Sequence, residues 1–116
     1  MAIKLYGIPT CGTVKKARKW LDGEGVEYDW QDLRDKAPTK KQLKAWVKAF
    51  GSKPMRNTSS GAYRNLGPEK KEWSDAEWLE AFSKDAMLLK RPIVEEDGKP
   101  VTVGFKEPVY EEHFGS

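Results

Sequence analysis

The residue with the clearest chemical potential in this sequence is Cys11, the only cysteine among 116 residues. It stands in the stretch Ile-Pro-Thr-Cys-Gly-Thr-Val at residues 8–14, where an apolar run gives way to a basic segment with helical spacing. A single cysteine cannot form an internal disulfide, and a metal cluster would need more thiols or more than the one histidine, His113. Cys11 is therefore a candidate for reaction with another molecule.

The expected place of Cys11 is the first turn of a helix. Backbone N–H groups there are unpaired and the helix dipole is positive, so a thiolate is stabilised. Gly12 leaves the sulfur uncrowded, and Lys15 adds positive charge one turn on. Thr10 and Thr13 offer hydroxyl donors. These features predict a pKa below the free-cysteine value of about 8.5 and hence a nucleophilic thiolate. The alternative is a buried structural cysteine, for which a loop beside proline, glycine and threonine is a poor setting.

Hydrophobic periodicity shows which elements must position Cys11. Alternating apolar residues predict a strand over residues 2–7. Helical spacing begins at Val14 and ends at Gly23, and alternation resumes over residues 26–31, which predicts a second strand. A strand, a helix and a strand this close together form a right-handed crossover with parallel strands.

The remainder of the chain is predicted to be a helical insertion followed by a hairpin and a last helix. Capping boxes at Thr39–Gln42 and Ser74–Glu77 each begin a helix. Between them, residues 52–68 are rich in proline, serine, asparagine and glycine, which predicts a loop with one helical turn. Asp97–Gly98 joins two apolar runs as a hairpin turn, and residues 107–114 have the pattern of a short helix.

This order of elements is that of an α/β protein with a thioredoxin-like fold. The expected sheet is mixed and four-stranded, with a helical insertion at about residues 36–89 between its second and third strands. The chain has 116 residues, a length typical of one domain, so we expect a single domain over residues 1–116.

Composition excludes several classes of partner. The net charge of +3, with 21 basic and 18 acidic residues, is too small and too mixed to favour nucleic acid. No apolar run approaches the roughly 20 residues of a membrane span, and the N-terminus does not resemble a secretory signal. We therefore expect a cytoplasmic protein that contacts neither nucleic acid nor membrane.

Redox proteins with this fold commonly carry Cys-x-x-Cys, but the fourth position here is Val14, so no resolving thiol is present. Any disulfide of Cys11 must then join it to another molecule. In a cytoplasm the obvious partner is glutathione, or a glutaredoxin-like protein that receives the oxidised sulfur.

Two motifs carry a resemblance to a known family. Gly-Ile-Pro-Thr-Cys-Gly-Thr around Cys11, followed by Val-Lys-Lys-Ala-Arg-Lys-Trp-Leu, resembles the start of the ArsC-like (arsenate reductase-like) thioredoxin-fold proteins, and Arg91-Pro92 resembles their second hallmark. Gly98-Lys99-Pro100 is most similar to the YffB branch, which is related to the Spx regulators. The resemblance covers nearly the whole chain. It implies that Cys11 is the nucleophile and that Arg91 supplies charge beside it. It also implies a cis peptide bond before Pro92, so that the backbone beside this bond can pair with an extended thiol substrate.

The sequence also departs from the arsenate reductases of this family. They hold the oxyanion with three arginines and carry a histidine shortly before the cysteine, whereas Gly7 occupies that position here. No arginine lies near Val103, and Asn57 stands where the reductases have arginine. Arg56 and Arg64 are neighbouring candidates to replace it.

The resemblance and the single cysteine together predict a glutathione-dependent thiol oxidoreductase that acts as a monomer. The expected substrate is glutathione or a small thiol or oxyanion. Neither a bound cofactor nor a metal is expected. The alternatives are an Spx-like module that binds RNA polymerase without catalysis, and a true arsenate reductase. The catalytic residues expected are Cys11 and Arg91. The substrate-binding residues expected are Thr10, Gly12, Thr13, Lys15, Pro92, Arg56 and Asn57.

Overall fold

The structure, a computed structural model, describes residues 2–115 and contains a four-stranded mixed sheet. Its strands are β1 (Ile3–Gly7), β2 (Asp29–Asp32), β3 (Ile93–Glu96) and β4 (Lys99–Val103). The order across the sheet is β2-β1-β3-β4, with β1 parallel to β2 and the other two pairs antiparallel. The α/β class and the thioredoxin-like arrangement are thus confirmed.

Helices connect and flank the strands. They are α1 (Gly12–Gly23), α2 (Lys40–Phe50), α3 (Gly61–Arg64), α4 (Asp75–Lys84) and α5 (Glu107–Phe114), with short 3₁₀ turns at Lys53–Met55, Pro68–Glu72 and Ala86–Leu88. Within residues 2–115, none of these helices has the length and apolar character needed to traverse a bilayer.

The chain forms two compact units. The first contains the described residues up to Lys36 and those from Arg91 onward, and therefore holds the sheet, α1 and α5. The second, Ala37–Lys90, holds α2, α3 and α4. These limits differ by one residue at each end from those expected for the insertion, about 36–89. The single-domain organisation stays a prediction.

The core of the first unit lies between the sheet and the two helices that pack on one of its faces. Alternation along β1 and β3 and helical spacing along α1 and α5 direct apolar side chains into this layer. Tyr110 is at its centre, with its ring edge-on to those of Trp20, Phe105 and Phe114. The buried members are Ile3, Leu5, Ala17, Leu21, Val94, Tyr110 and Phe114.

The second strand begins later than the sequence pattern predicts. Residues 26–31 were expected to form it, but the structure places it at Asp29–Asp32. The Val26 N–H donates to the Leu21 carbonyl at 2.9 Å, and Gly25 has the left-handed φ of +69°. This is the Schellman arrangement that closes a helix, so Val26 ends α1 instead of entering the sheet.

The second unit confirms both capping boxes. The Thr39 hydroxyl accepts the Gln42 N–H, and the Gln42 side chain accepts the Thr39 N–H, at the start of α2. Ser74 and Glu77 do the same at the start of α4. Residues 52–68 hold a 3₁₀ turn in addition to α3, so this segment has more regular structure than predicted.

The hairpin of β3 and β4 sets the position of the second hallmark. Asp97 and Gly98 both have positive φ, at 53° and 80°, as a two-residue type I′ turn requires. At the other end of the hairpin the Gly104 N–H donates to the Pro92 carbonyl at 2.8 Å. The Arg91–Pro92 peptide bond is cis, as predicted.

We expect Leu21→Ala to lower the free energy of unfolding by about 2–5 kcal/mol, because it leaves a cavity under α1. Leu21 is fully buried in the core of the first unit. Urea denaturation measures the change. Lys19→Ala is the matched control, since Lys19 is exposed on the same helix and its loss should change stability by less than about 0.5 kcal/mol. Equal effects of the two variants would contradict this description of the core.

Candidate active site around Cys11

Cys11 is the N-cap residue of α1, where the sequence placed it. Its backbone is extended, with φ −77° and ψ 124°, and its carbonyl accepts the Lys15 N–H at 3.0 Å as the first bond of the helix. The Cys11 N–H donates to the Ile8 carbonyl at 3.3 Å, which closes a turn between β1 and α1. The thiol therefore occupies the positive end of a twelve-residue helix.

The electrostatic environment of the Cys11 sulfur balances opposing effects. Partial burial raises the pKa of the thiol, but the backbone N–H groups of Val14 and Thr13 lower it, and so do the charge and hydrogen bonding of Arg91. The lowering effects prevail, so the pKa of Cys11 lies below its ordinary value. The Cys11 side chain does not close a standard N-cap hydrogen bond. We therefore attribute the effect of the two N–H groups mainly to their partial positive charge.

The structure brings Arg91 to this thiol, and Pro92 follows Arg91 in the chain. Arg91 is half-buried immediately before β3, and its guanidinium is close enough to the Cys11 sulfur to donate a hydrogen bond. Pro92 is buried and held by the Gly104 N–H. An arginine in this position can stabilise a thiolate, and it can equally bind an anionic group on a substrate.

The other predicted residues of this segment lie within four positions of Cys11 in the chain. Thr10, Gly12, Thr13 and Lys15 are all exposed. A Cβ placed on Gly12 would meet nothing within 4 Å, so the space at this position is open. Cys11 itself is partly exposed. The thiol is thus reachable by a molecule approaching from solvent, although the binding roles of these four residues stay predictions.

Arg56 and Asn57 belong to the second unit, where both have partners. The Arg56 Nη2 donates to the Ser52 hydroxyl at 2.8 Å, and its guanidinium lies 4.4 Å from the centre of the Trp78 ring. The Asn57 N–H donates to the Leu88 carbonyl at 2.8 Å. Their substrate-binding roles stay predictions.

Sequence reasoning missed two features. One is that Val14, an apolar residue whose spacing assigns its side chain to the core, supplies one of the first-turn N–H groups that act on the thiol. The other is the buried Ser52, whose hydroxyl donates to the Asp75 carboxylate; the bond from Ser52 lowers the pKa of Asp75. Serine in a polar loop gives no signal of such a link. Within residues 2–115, no cluster of three or more His, Cys, Asp or Glu side chains is arranged to hold a metal ion.

Known proteins are similar to this chain in sequence and in fold. Residues 6–113 match the sequence model of the ArsC family. The chain belongs to the ArsC family. It is 41% identical to the uncharacterized protein YusI of Bacillus subtilis, over 98% of this chain and 99% of YusI. It is 29% identical to the global transcriptional regulator Spx of Streptococcus agalactiae, over 90% of this chain and 77% of Spx.

Among solved structures, that of a YffB protein is similar to this ArsC-family chain. Its TM-score is 0.88 at 32% identity, and the match covers 96% of this chain and 97% of the YffB chain. The similarity to the YffB branch and the relation to the Spx regulators, both inferred from the segment at Gly98-Lys99-Pro100, are confirmed.

We expect Arg91→Ala to raise the pKa of Cys11, because the variant loses a cation and a hydrogen-bond donor from beside the thiolate. Below its pKa the thiol reacts in proportion to its thiolate fraction, so alkylation of Cys11 by iodoacetamide at mildly acid pH should slow. The pH profile of the alkylation rate measures the shift. In wild type the rate should rise with pH through a midpoint below that of free cysteine.

The matched control is Lys90→Ala, which removes one exposed positive charge at the preceding residue. Its alkylation profile should follow that of wild type. A profile of Arg91→Ala that coincides with both would show that Arg91 does not support the thiolate.

Proposed function

We propose that this ArsC-family chain is a glutathione-dependent thiol oxidoreductase with Cys11 as its nucleophile. The observation that carries the proposal is the partly exposed sulfur at the start of α1, whose pKa is lowered beside the guanidinium of Arg91. A thiolate is the reactive form in disulfide exchange, and access decides which molecule it meets.

The proposed reaction is exchange with a glutathione mixed disulfide. The Cys11 thiolate attacks the glutathione sulfur of R–S–S–G. The S–S bond of that disulfide breaks, and R–S⁻ leaves and takes a proton from water. Cys11 is then joined to glutathione. The thiolate of a second glutathione attacks the bound glutathione sulfur, so that oxidised glutathione leaves and the Cys11 thiolate is restored. In total, R–S–S–G and one free glutathione give R–SH and oxidised glutathione, so the free glutathione is the reductant.

The residues around the thiol have separate proposed roles. Arg91 stabilises the thiolate before attack and after its release. Lys15 attracts the carboxylates of glutathione, because a cation near an open site raises the local concentration of anions. Thr10 and Thr13 offer hydroxyl donors, and the open space at Gly12 admits the substrate sulfur.

Glutathione is proposed because the chain has no second cysteine to resolve the intermediate. The thiol that completes the cycle must come from outside, either from glutathione or from a glutaredoxin-like protein. This chemistry requires a reducing compartment, so we propose a cytoplasmic location. We also propose that the protein acts as a monomer.

We expect the wild-type protein to reduce a glutathionylated model peptide when glutathione, glutathione reductase and NADPH are supplied. Consumption of NADPH measures turnover, and mass spectrometry of the acid-quenched protein should detect one glutathione on Cys11. Cys11→Ser should lose both signals, because it lacks the attacking sulfur. Equal rates for wild type and Cys11→Ser would refute the proposed function. Arsenate replaces the peptide in a parallel assay, and faster turnover with arsenate would favour reductase activity instead.

A second candidate is a protein-binding regulatory module, which the 29% identity to Spx favours. Under this alternative the fold binds RNA polymerase, and Cys11 takes no part. Pull-down of purified RNA polymerase with wild type and with Cys11→Ser distinguishes the two. Equal capture by both proteins, together with no chemical-shift change on glutathione titration, would support the module and contradict the oxidoreductase.

A further inference from the structure

Gly7, the last residue of β1, is in unusually close contact with the start of α1. A Cβ built on Gly7 would lie 2.8 Å from Cγ2 of Val14 and 3.2 Å from Cγ1, with Cη2 of Trp30 at 3.5 Å. The first of these distances is shorter than packed carbon atoms tolerate, since their optimum is about 3.5–4.0 Å. Any side chain at position 7 therefore requires a neighbour to move.

The strand around Gly7 is held from both sides and resists such a movement. Gly7 pairs with Asp32 in the parallel ladder, and its carbonyl accepts the Leu33 N–H at 2.8 Å. The preceding residue, Tyr6, pairs with Ile93 on the opposite side. Displacing β1 would disturb both ladders at once.

The Val14 side chain cannot readily turn aside either. Val14 is fully buried, and a β-branched side chain in a helix has one strongly preferred χ1 rotamer. Its two methyl groups lie against Gly7, where the absent side chain leaves room for them. A side chain at position 7 would therefore push the first turn of α1 away from the sheet.

That turn carries the backbone groups that act on the thiol. Val14 belongs to it, and its N–H, with that of Thr13, favours the Cys11 thiolate. Arg91 is the charged side chain that acts on the same sulfur, and it comes from the segment before β3, which the displacement of α1 would not carry along. Movement of the turn would thus alter the position of the N–H groups and of the sulfur relative to Arg91.

We propose that Gly7 is a positioning residue for the reaction of Cys11: its missing side chain seats Val14 against β1 and so fixes the first turn of α1 around the sulfur. Gly7 does not touch the sulfur or a substrate in this account; it acts through Val14. The inference rests on the proposed function, because only a reacting thiol needs such positioning.

The test compares wild type with Gly7→Ala, Val14→Ala and the double variant Gly7→Ala/Val14→Ala, using the pH profile of Cys11 alkylation by iodoacetamide. Gly7→Ala should raise the midpoint and slow alkylation at about pH 6 by about threefold or more, because the thiolate loses aligned N–H groups. Val14→Ala should give a smaller rise, because the turn loses its packing against β1. In the double variant the new methyl group fills the space left by valine, so the profile should return toward that of wild type.

Gly23→Ala is the matched control, since it lies in the last turn of α1 and an added Cβ there meets nothing within 4 Å. Its profile should equal that of wild type, and far-ultraviolet circular dichroism checks the folding of every variant. If Gly7→Ala does not fold, the alkylation profiles of Val14→Ala and of the double variant test the positioning role of Gly7. A double variant no closer to wild type than Val14→Ala then overturns the proposal.

The outcomes separate the two proposals. A wild-type midpoint at the ordinary cysteine value overturns the proposed function and the positioning role together. A low wild-type midpoint that is unchanged in folded Gly7→Ala overturns the positioning role alone. A double variant with a midpoint as high as that of Gly7→Ala also overturns the positioning role alone, because the rise in the midpoint would then not depend on contact between position 7 and Val14.

Discussion

The reactivity proposed for Cys11 depends on the competition at its sulfur atom between desolvation and stabilisation of the thiolate charge. Burial of Cys11 favours the neutral thiol, whereas the amides of Val14 and Thr13 and the guanidinium of Arg91 favour the anion. The groups that favour the anion come from separate parts of the chain, because the amides belong to α1 and Arg91 precedes β3. The sheet brings them together, since β1 leads into α1 and β3 pairs directly with β1.

This dependence explains which parts of the fold matter to the site. β1 and β3 are central strands, and their pairing from Ile3↔Glu96 to Tyr6↔Ile93 fixes the end of β1 beside the segment that carries Arg91. At the far side of the hairpin, the bond from Gly104 to the Pro92 carbonyl holds the same segment in place. The closeness of the Arg91 guanidinium to the Cys11 thiol therefore depends more on backbone pairing in the sheet than on any side-chain contact.

Sequence reasoning succeeded where local chemistry decides the structure. The capping residues Thr39 and Ser74, the Asp97–Gly98 turn and the N-terminal position of Cys11 each follow from a few adjacent residues. It predicted the start of β2 wrongly, because the apolar alternation from residue 26 fits both a strand and the closing turn of a helix. Only the hydrogen bond from the Val26 N–H to the Leu21 carbonyl distinguishes the two. Sequence reasoning also could not find the Ser52–Asp75 hydrogen bond or the contact of Val14 with Gly7, because these contacts depend on the packing of separate elements and leave no local sequence pattern.

The closure of α1 at Val26 has a further consequence for the outer edges of the sheet. Because residues 26–28 are withdrawn from the ladder, β2 is an edge strand of only four residues. The opposite edge, β4, carries Pro100, which has no N–H to offer a neighbouring chain. Short edges and edge prolines are the means by which natural sheets avoid joining one another into aggregates. Both borders of this sheet are thus poor templates for strand addition by a neighbouring chain.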